Sequence, residues 1–294
     1  MSALIQHVVD ATALGSFYAI FALGIALIFG IMRLVNFAHG ELIMVGSYAV
    51  YLTQSLWWPL IVLAGVGASV AMALITERVA FRPVRGASPA TLLITSFAVS
   101  YLLQSAARLI FTSLPKSANI NPLLVESFTF KGVFVTWLTV ITLGVTATLL
   151  VALAIFLRRT ATGTQMRAAA EDFDAARLCA VDANRVVAVA FGLSGLLAGA
   201  AALLLVGQTG SLFPTMGLTP VLFGFTAAVI GGMGSLWGAV LGGYLLGSGS
   251  TVLTITLPNS VAPFRDAFLF VCVMVVLTLR PEGLVRARGA VTRV

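Results

Sequence analysis

The chain has 294 residues, of which 60% are apolar and only 9% charged, with 17 basic side chains against 10 acidic ones. A mean hydropathy of +1.06 excludes a water-soluble domain and leaves an integral membrane protein with room for about eight to ten helices of ~20 residues. The net charge of +7 does not point to nucleic acid, because the basic residues gather in loops on one side of the bilayer.

In chain order, residues 10–32 form the first predicted span. Arg33-Leu34-Val35-Asn36-Phe37-Ala38-His39-Gly40-Glu41 interrupts the apolar run, which resumes over 42–56 and ends at the interfacial pair Trp57-Trp58. Residues 60–76 follow as a span, then the charged stretch with Glu77, Arg78, Arg82 and Arg85, then a span over 90–112. The polar stretch 113–133, with Pro115, Pro122 and both lysines, reads as an exposed loop. Residues 134–157 and 186–206 are further spans, the latter capped by Asp182 or Asn184. Residues 218–230 are too short to cross unaided and end in Gly231-Gly232-Met233-Gly234-Ser235. A glycine-rich run of about 20 residues follows, so 218–256 reads as two spans or as a half-helix and a full one. Residues 264–279 complete a set of nine apolar segments, and the tail is basic.

The positive-inside rule orients the chain. With the stretch 158–185 in the cytoplasm, 13 basic residues fall inside and four outside: Arg108, Lys116, Lys131 and Arg265. The expected N-terminus is outside and the C-terminus inside. No removable signal peptide is expected, since the first ten residues lack a basic n-region. Cys179 and Cys272 lie in unlike surroundings, so no disulfide is expected.

Nine of the 27 charged residues sit between Arg158 and Arg185. Thr164 is read as a helix N-cap, and no Pro or Gly interrupts 165–180. Met166, Ala169, Ala170, Phe173, Ala176 and Ala180 recur at helical spacing, opposite Arg167, Glu171, Asp174 and Arg177. This is an amphipathic linker on the membrane surface or a helix that inserts Phe173 into another protein. No phosphate-binding loop is present, so any ATP is hydrolysed by another chain. His7 and His39 are too few for a metal site. Gly192-Leu193-Ser194-Gly195 matches the GxSG pattern of rhomboid-type intramembrane proteases, but no His follows Ser194 to act as base, and small residues are ordinary packing surfaces in membrane helices. No catalytic, cofactor or metal site is expected. Asn36, His39, Gly40 and Glu41 are costly in lipid and so face protein or water. They form either a short cytoplasmic turn or a broken helix lining a solute path. With Gly231, Gly232 and Gly234 they make one break in each half of the chain, as an inverted repeat would.

Three runs carry a resemblance: GIMRLVNFAHGELIMVGSY, RAAAEDFDAARLCAVDANRVVAVAFGLSGLLAGAAALL and AAVIGGMGSLWGAVLGGYLLG. Together, and in this order, they resemble the branched-chain amino-acid ABC-transporter permeases of the LivH type over nearly the whole chain. The resemblance implies an all-α polytopic bundle of about eight to nine segments with discontinuous helices, in one permease domain spanning 1–294. It implies a bacterial inner-membrane importer subunit with a second permease subunit, two cytoplasmic ATPases and a periplasmic binding protein. The coupling segment would run over Arg167–Asp182, including Ala170, Glu171, Phe173, Ala176 and Ala180. The pathway would include Asn36, His39, Gly40, Glu41, Gly231, Gly232 and Gly234. The family usually has Gly where this chain has Ala180, in the turn after the coupling helix. Urea, short amides and aromatic amino acids remain alternative solutes within the family. A secondary transporter would need acidic residues inside spans, and only Glu41 qualifies; Asp10, Glu77 and Asp266 are expected at solvated span ends.

Overall fold

The computed structural model describes residues 2–118, 126–130, 132–280 and 283–285. Pro122, Lys131, Arg286, Arg288 and Arg293 lie outside the described residues. The first helix, α1 (Ser2–Met32), starts eight residues before the predicted span. The reason is local: no breaker precedes residue 10, and Gln6 Nε2 donates to Asp10 Oδ1 one turn on at 2.9 Å. The helices that follow are α2 (His39–Thr53), α3 (Trp58–Thr76), α4 (Pro89–Phe111), α5 (Trp137–Arg159), α6 (Ala161–Glu171), α7 (Phe173–Leu178), α8 (Ala183–Thr209), α9 (Leu218–Gly231), α10 (Leu236–Thr256) and α11 (Arg265–Leu279). Among the described residues, seven helices are long and apolar enough to cross a membrane; α2, with 15 residues, and α9, with 14, are shorter. Each of the nine apolar segments expected from the sequence contains a helix, although 134–136 belongs to a strand and 54–56 is a turn.

α1 is the axis of the bundle. Its apolar window is 83% buried and that of α8 67%, against 17% for α5 and 11% for the last span, so the latter two present most of their surface to lipid. Lipid is as apolar as leucine, so close backbone approach holds the centre together. Gly247 and Gly243 of α10 sit against the α1 backbone at Gly15 and Ala19.

The stretch 113–136 is more ordered than a loop. Here β1 (Lys116–Ser117) pairs antiparallel with β4 (Ser211–Leu212), and β2 (Ser127–Phe130) pairs with β3 (Val133–Thr136) as a hairpin. Gln6 holds that hairpin to α1: its amide donates to the Phe134 carbonyl at 3.1 Å and accepts from the Phe134 N–H at 2.8 Å.

The turn after α3 also departs from expectation. The helix continues as a π turn over Glu77–Phe81. Glu77 is buried, not solvated by headgroups, and forms an ion pair with Arg85. Burial pulls the Arg85 guanidinium pKa below its usual value, while Glu77 pulls it back up.

Candidate functional site

The same plan occurs twice. In each half a long helix, α1 or α8, is followed by a non-helical return and a short helix, α2 or α9. α1 ends at Arg33, whose N–H bonds the Phe29 carbonyl at 2.9 Å with φ +52°. An αL residue at a helix end is usually Gly. Here an arginine takes that position, and its guanidinium donates to the Ala170 carbonyl of α6 at 3.3 Å.

The chain then turns back along the bundle. His39, the first residue of α2, packs its ring on Gly24. Gly24 lies eight residues before the end of α1, about 12 Å along the helix axis. So α2 begins inside the bundle rather than at its surface, and the short cytoplasmic turn is ruled out. Phe37, in the return, stacks on Phe97 of α4 at 4.5 Å and lies 5.7 Å from Phe225 of α9. The second return, 210–217, brings Gly217 to the start of α9. There the backbones of Gly40 and Gly217 touch, and a Cβ on either would overlap the other's carbonyl. The two short helices therefore start side by side.

Polar side chains pin this junction. Ser194 Oγ donates to the Gly24 carbonyl at 3.2 Å and lies 2.9 Å from His39 Nδ1. In the arrangement that satisfies both contacts, Nδ1–H donates to the serine oxygen. Ser194 thus has a histidine beside it, from an earlier helix. The pair is fully buried and clamps α1, α2 and α8 together. Glu41 accepts from Ser100 Oγ at 2.9 Å and Gln104 Nε2 at 2.8 Å, which ties α2 to α4. Asn36 Oδ1 accepts from the Ala38 N–H at 3.1 Å. All three predicted side chains, Asn36, His39 and Glu41, are at most 1% exposed. Asn36 Nδ2, His39 Nε2 and Glu41 Oε2 have no hydrogen-bond partner among the described residues. Such buried polar atoms are costly and rare.

Gly231, Gly232 and Gly234 lie at the other end of α9. Gly232 and Gly234 have φ +105° and +91°, which only Gly adopts without strain. Gly231 meets Gly238, and Gly234 lies against Gly30. The last carbonyls of α9 would be orphaned. Instead Ile230 O and Gly231 O accept from Leu284 N at 2.8 Å and Val285 N at 3.0 Å, so the C-terminal stretch straps this break. The two predicted glycine sets thus sit at opposite ends of α9, and Gly217, which joins α9 to the first break, was not singled out in the sequence.

The charged segment is not one helix from Thr164. Thr160 is the cap, accepting from Gly163 N at 2.9 Å, and Gly163 is helical because its missing Cβ lets α6 lie on the Phe156–Leu157 backbone. Asp172 ends α6 and starts α7: its backbone is extended and its Oδ1 accepts from Ala175 N at 2.9 Å. The small-residue stripe turns inward. Met166, Ala169 and Ala176 are buried, and Ala170 and Phe173 pack on the chain's own core. Phe173 therefore does not stand free to enter a partner; Leu178, at the end of α7, is 90% exposed. Arg167 and Ala170 share a cleft of about 320 Å³ with Gly30 and Gly234. Glu171 and Phe173 line a neighbouring one with Arg33 and Arg85.

α7 ends in a Schellman turn. Val181 N bonds Ala176 O and Ala180 N bonds Arg177 O, both at 3.2 Å, with Ala180 at φ +61°. Asp182 then caps α8, accepting from Asn184 N at 2.9 Å and Arg185 N at 3.3 Å.

Among the described residues, seven helices long and apolar enough to cross a membrane, with the short α2 and α9 meeting inside the bundle, define a multi-pass helical membrane protein with discontinuous helices. Residues 8–277 match the family model for the permease component of branched-chain amino acid transport systems. The chain is 34% identical to the high-affinity branched-chain amino acid transport system permease protein BraD of Pseudomonas aeruginosa, covering 95% of each chain. It is 33% identical to the corresponding protein LivH of Escherichia coli K12, over 95% of this chain and 94% of the relative. A probable LivH of Methanocaldococcus jannaschii is 30% identical over 84% and 79% of the two chains. No solved structure matches. The chain belongs to the branched-chain amino acid transport system permease family, and is a membrane-transport component.

Proposed function

We propose that this chain is the permease subunit of an ATP-driven importer that moves branched-chain amino acids into a bacterial cell across the inner membrane. The observation that carries the reading is full-length similarity to two branched-chain amino acid permeases, BraD and LivH, at 34% and 33% identity. The paired short helices supply the moving part. Two backbones touch at Gly40 and Gly217 without interlocking side chains, so a small shift of α9 against α2 separates them. Arg33 supplies the link to the cytoplasm, because it joins the end of α1 to the Ala170 carbonyl. A push on α6 and α7 by an ATPase is delivered to the helix that carries the first break. The partners of this reading are a second permease subunit, two ATPases that use the ATP, and a periplasmic binding protein. The N-terminus is periplasmic and the C-terminus cytoplasmic, on the distribution of basic residues.

The test is reconstitution with the candidate ATPases, second permease and binding protein in proteoliposomes. Labelled leucine should accumulate only with ATP, and accumulation should persist when ion gradients are collapsed. Leucine uptake that follows a proton gradient without ATP rejects the proposal. A reporter inserted near Asn119 should be periplasmic and one after Arg288 cytoplasmic; the reverse result inverts the orientation.

A further inference from the structure

We infer that a cavity of about 300 Å³ between α1, the outer end of α8, the start of α9 and the start of α11 is the permease's own binding pocket for a zwitterionic amino acid with an apolar side chain. The inference rests on reading the chain as an amino-acid permease. It adds a second point of recognition, inside the membrane subunit itself.

The lining combines buried aromatic surface, neutral polar groups (Gln208, Thr209, Ser211 and Thr219) and one charged pair. Phe17, Tyr18 and Phe21 of α1, with Met216 and Phe223, supply its apolar surface, and each is at most 6% exposed. Tyr18 stacks on Phe223 with centroids 4.7 Å apart and planes 5° apart, and Phe223 stacks in turn on Phe270 of α11 at 5.5 Å. The wall is thus braced from behind and suits an aliphatic side chain.

Arg265 and Asp266 supply its charged groups. Arg265 Nε and Nη2 both donate to Asp266 Oδ1, at 3.1 and 3.0 Å. Nη1 donates a long hydrogen bond to Thr254 Oγ1, at 3.5 Å. Among the described residues Asp266 Oδ2 has no hydrogen bond, so the pair keeps one donor edge and one acceptor oxygen in reserve. These are the groups that a carboxylate and an ammonium require, side by side. The two side chains are 36% and 48% exposed, so a solute arriving from outside the bundle reaches both. An exposed ion pair alone would mean little. What singles this one out is the buried aromatic surface that lines the same cavity.

The location fits an entry site. Met216, Thr219 and Pro220 line the pocket and flank Gly217, which touches Gly40. A bound solute therefore bears on the junction where the two short helices meet. The cavity lies beside the middle of α1, at residues 14–21, away from Arg33 and the arginine-rich segment.

The test uses the assembled permease–ATPase complex, first without ATP or binding protein. Labelled L-leucine should bind and be displaced by unlabelled leucine. Leucinamide, which lacks the carboxylate, 4-methylpentanoate, which lacks the ammonium, and glycine, which lacks the side chain, should each compete at least tenfold less well. Arg265→Gln should weaken leucine at least tenfold and erase the preference over leucinamide. Asp266→Asn should erase the preference over 4-methylpentanoate. Complex yield and melting temperature should match the parent, since both positions are half-exposed. Wild-type affinity and selectivity in both variants overturns the pocket. So does a complex that imports leucine with ATP and binding protein yet shows no binding by itself, or one in which a zwitterionic lipid occupies the cavity and leucine fails to displace it. In each of those cases leucine import still stands. A complete system that imports no amino acid overturns the functional reading instead.

Discussion

Gly40 and Gly217 touch backbone to backbone at the starts of α2 and α9, joining the two halves of the chain where both helices are interrupted. A side chain on either residue would meet a carbonyl rather than a flexible neighbour, so the clash is relieved only by moving a helix. Gly40→Ala and Gly217→Ala should each cost about 1–3 kcal/mol, read as a lower melting temperature in detergent, and should slow uptake. Gly67→Ala is the control, because nothing lies within 4 Å of the added methyl. Parent-like uptake in both variants would show that this contact does not govern transport.

Much of this junction was legible because the bilayer is a strict solvent. Polar residues such as Asn36 and Glu41 between apolar runs have few permitted places, so the break announced itself. Gly217 did not, because a glycine in a loop is ordinary and its meaning comes only from the residue opposite. Glu77 was read as solvated since its partner Arg85 lies eight residues on, across a π turn that helical spacing does not anticipate. The stripe through Met166 and Phe173 reads as apolar, but periodicity does not say which apolar surface a stripe meets. It meets this chain's own core.

Ala180 holds a left-handed conformation, φ +61°, at the position of the Schellman turn where Gly is favoured. Ala180→Gly should stabilise the turn by about 1 kcal/mol, less what Gly loses in the unfolded chain. Ala180→Val should destabilise it, since a β-branched residue tolerates positive φ least. Thermal unfolding of the purified permease measures both. An order of stability with Val above Gly would mean that the turn does not have this geometry in the membrane.

Ser194 is the partner of His39 Nδ1 and also reaches the Gly24 carbonyl. Ser194→Ala leaves the fully buried imidazole without a hydrogen bond at either nitrogen among the described residues. The expected cost is about 1–3 kcal/mol, with membrane insertion retained. His39→Ala and Glu41→Gln should slow ATP-driven uptake without making it sensitive to a protonophore at constant ATP. Sensitivity in the parent protein would assign Glu41 an ion-coupling role and move the chain to the secondary transporters.

Leu178 and Phe173 occupy different sides of α7, and the difference predicts which of them would meet the proposed ATPase. Leu178 is 90% exposed, with Arg177, Cys179 and Ala180 exposed around it, whereas Phe173 is half-buried against the permease core. An exposed leucine alone is unremarkable. This one projects from the end of a six-residue helix in the most charged stretch of the chain, and that helix is fixed from behind by Ala176 and Phe173. Burying its side chain under a partner is worth roughly 1.5–3 kcal/mol, or about ten- to a hundredfold in association. Leu178→Asp should therefore reduce co-purification of the ATPase by at least tenfold while permease yield and melting temperature stay at parent values. Phe173→Asp should act differently. It places a charge against the permease's own core, so the permease itself should lose stability, and ATPase recovered per folded permease should fall much less. Normalising ATPase recovery to monodisperse permease separates the two effects. If Leu178→Asp retains its ATPase and Phe173→Asp loses it at unchanged permease stability, the inward-packed face is the one that opens to the partner, and α7 must swing out to make the contact.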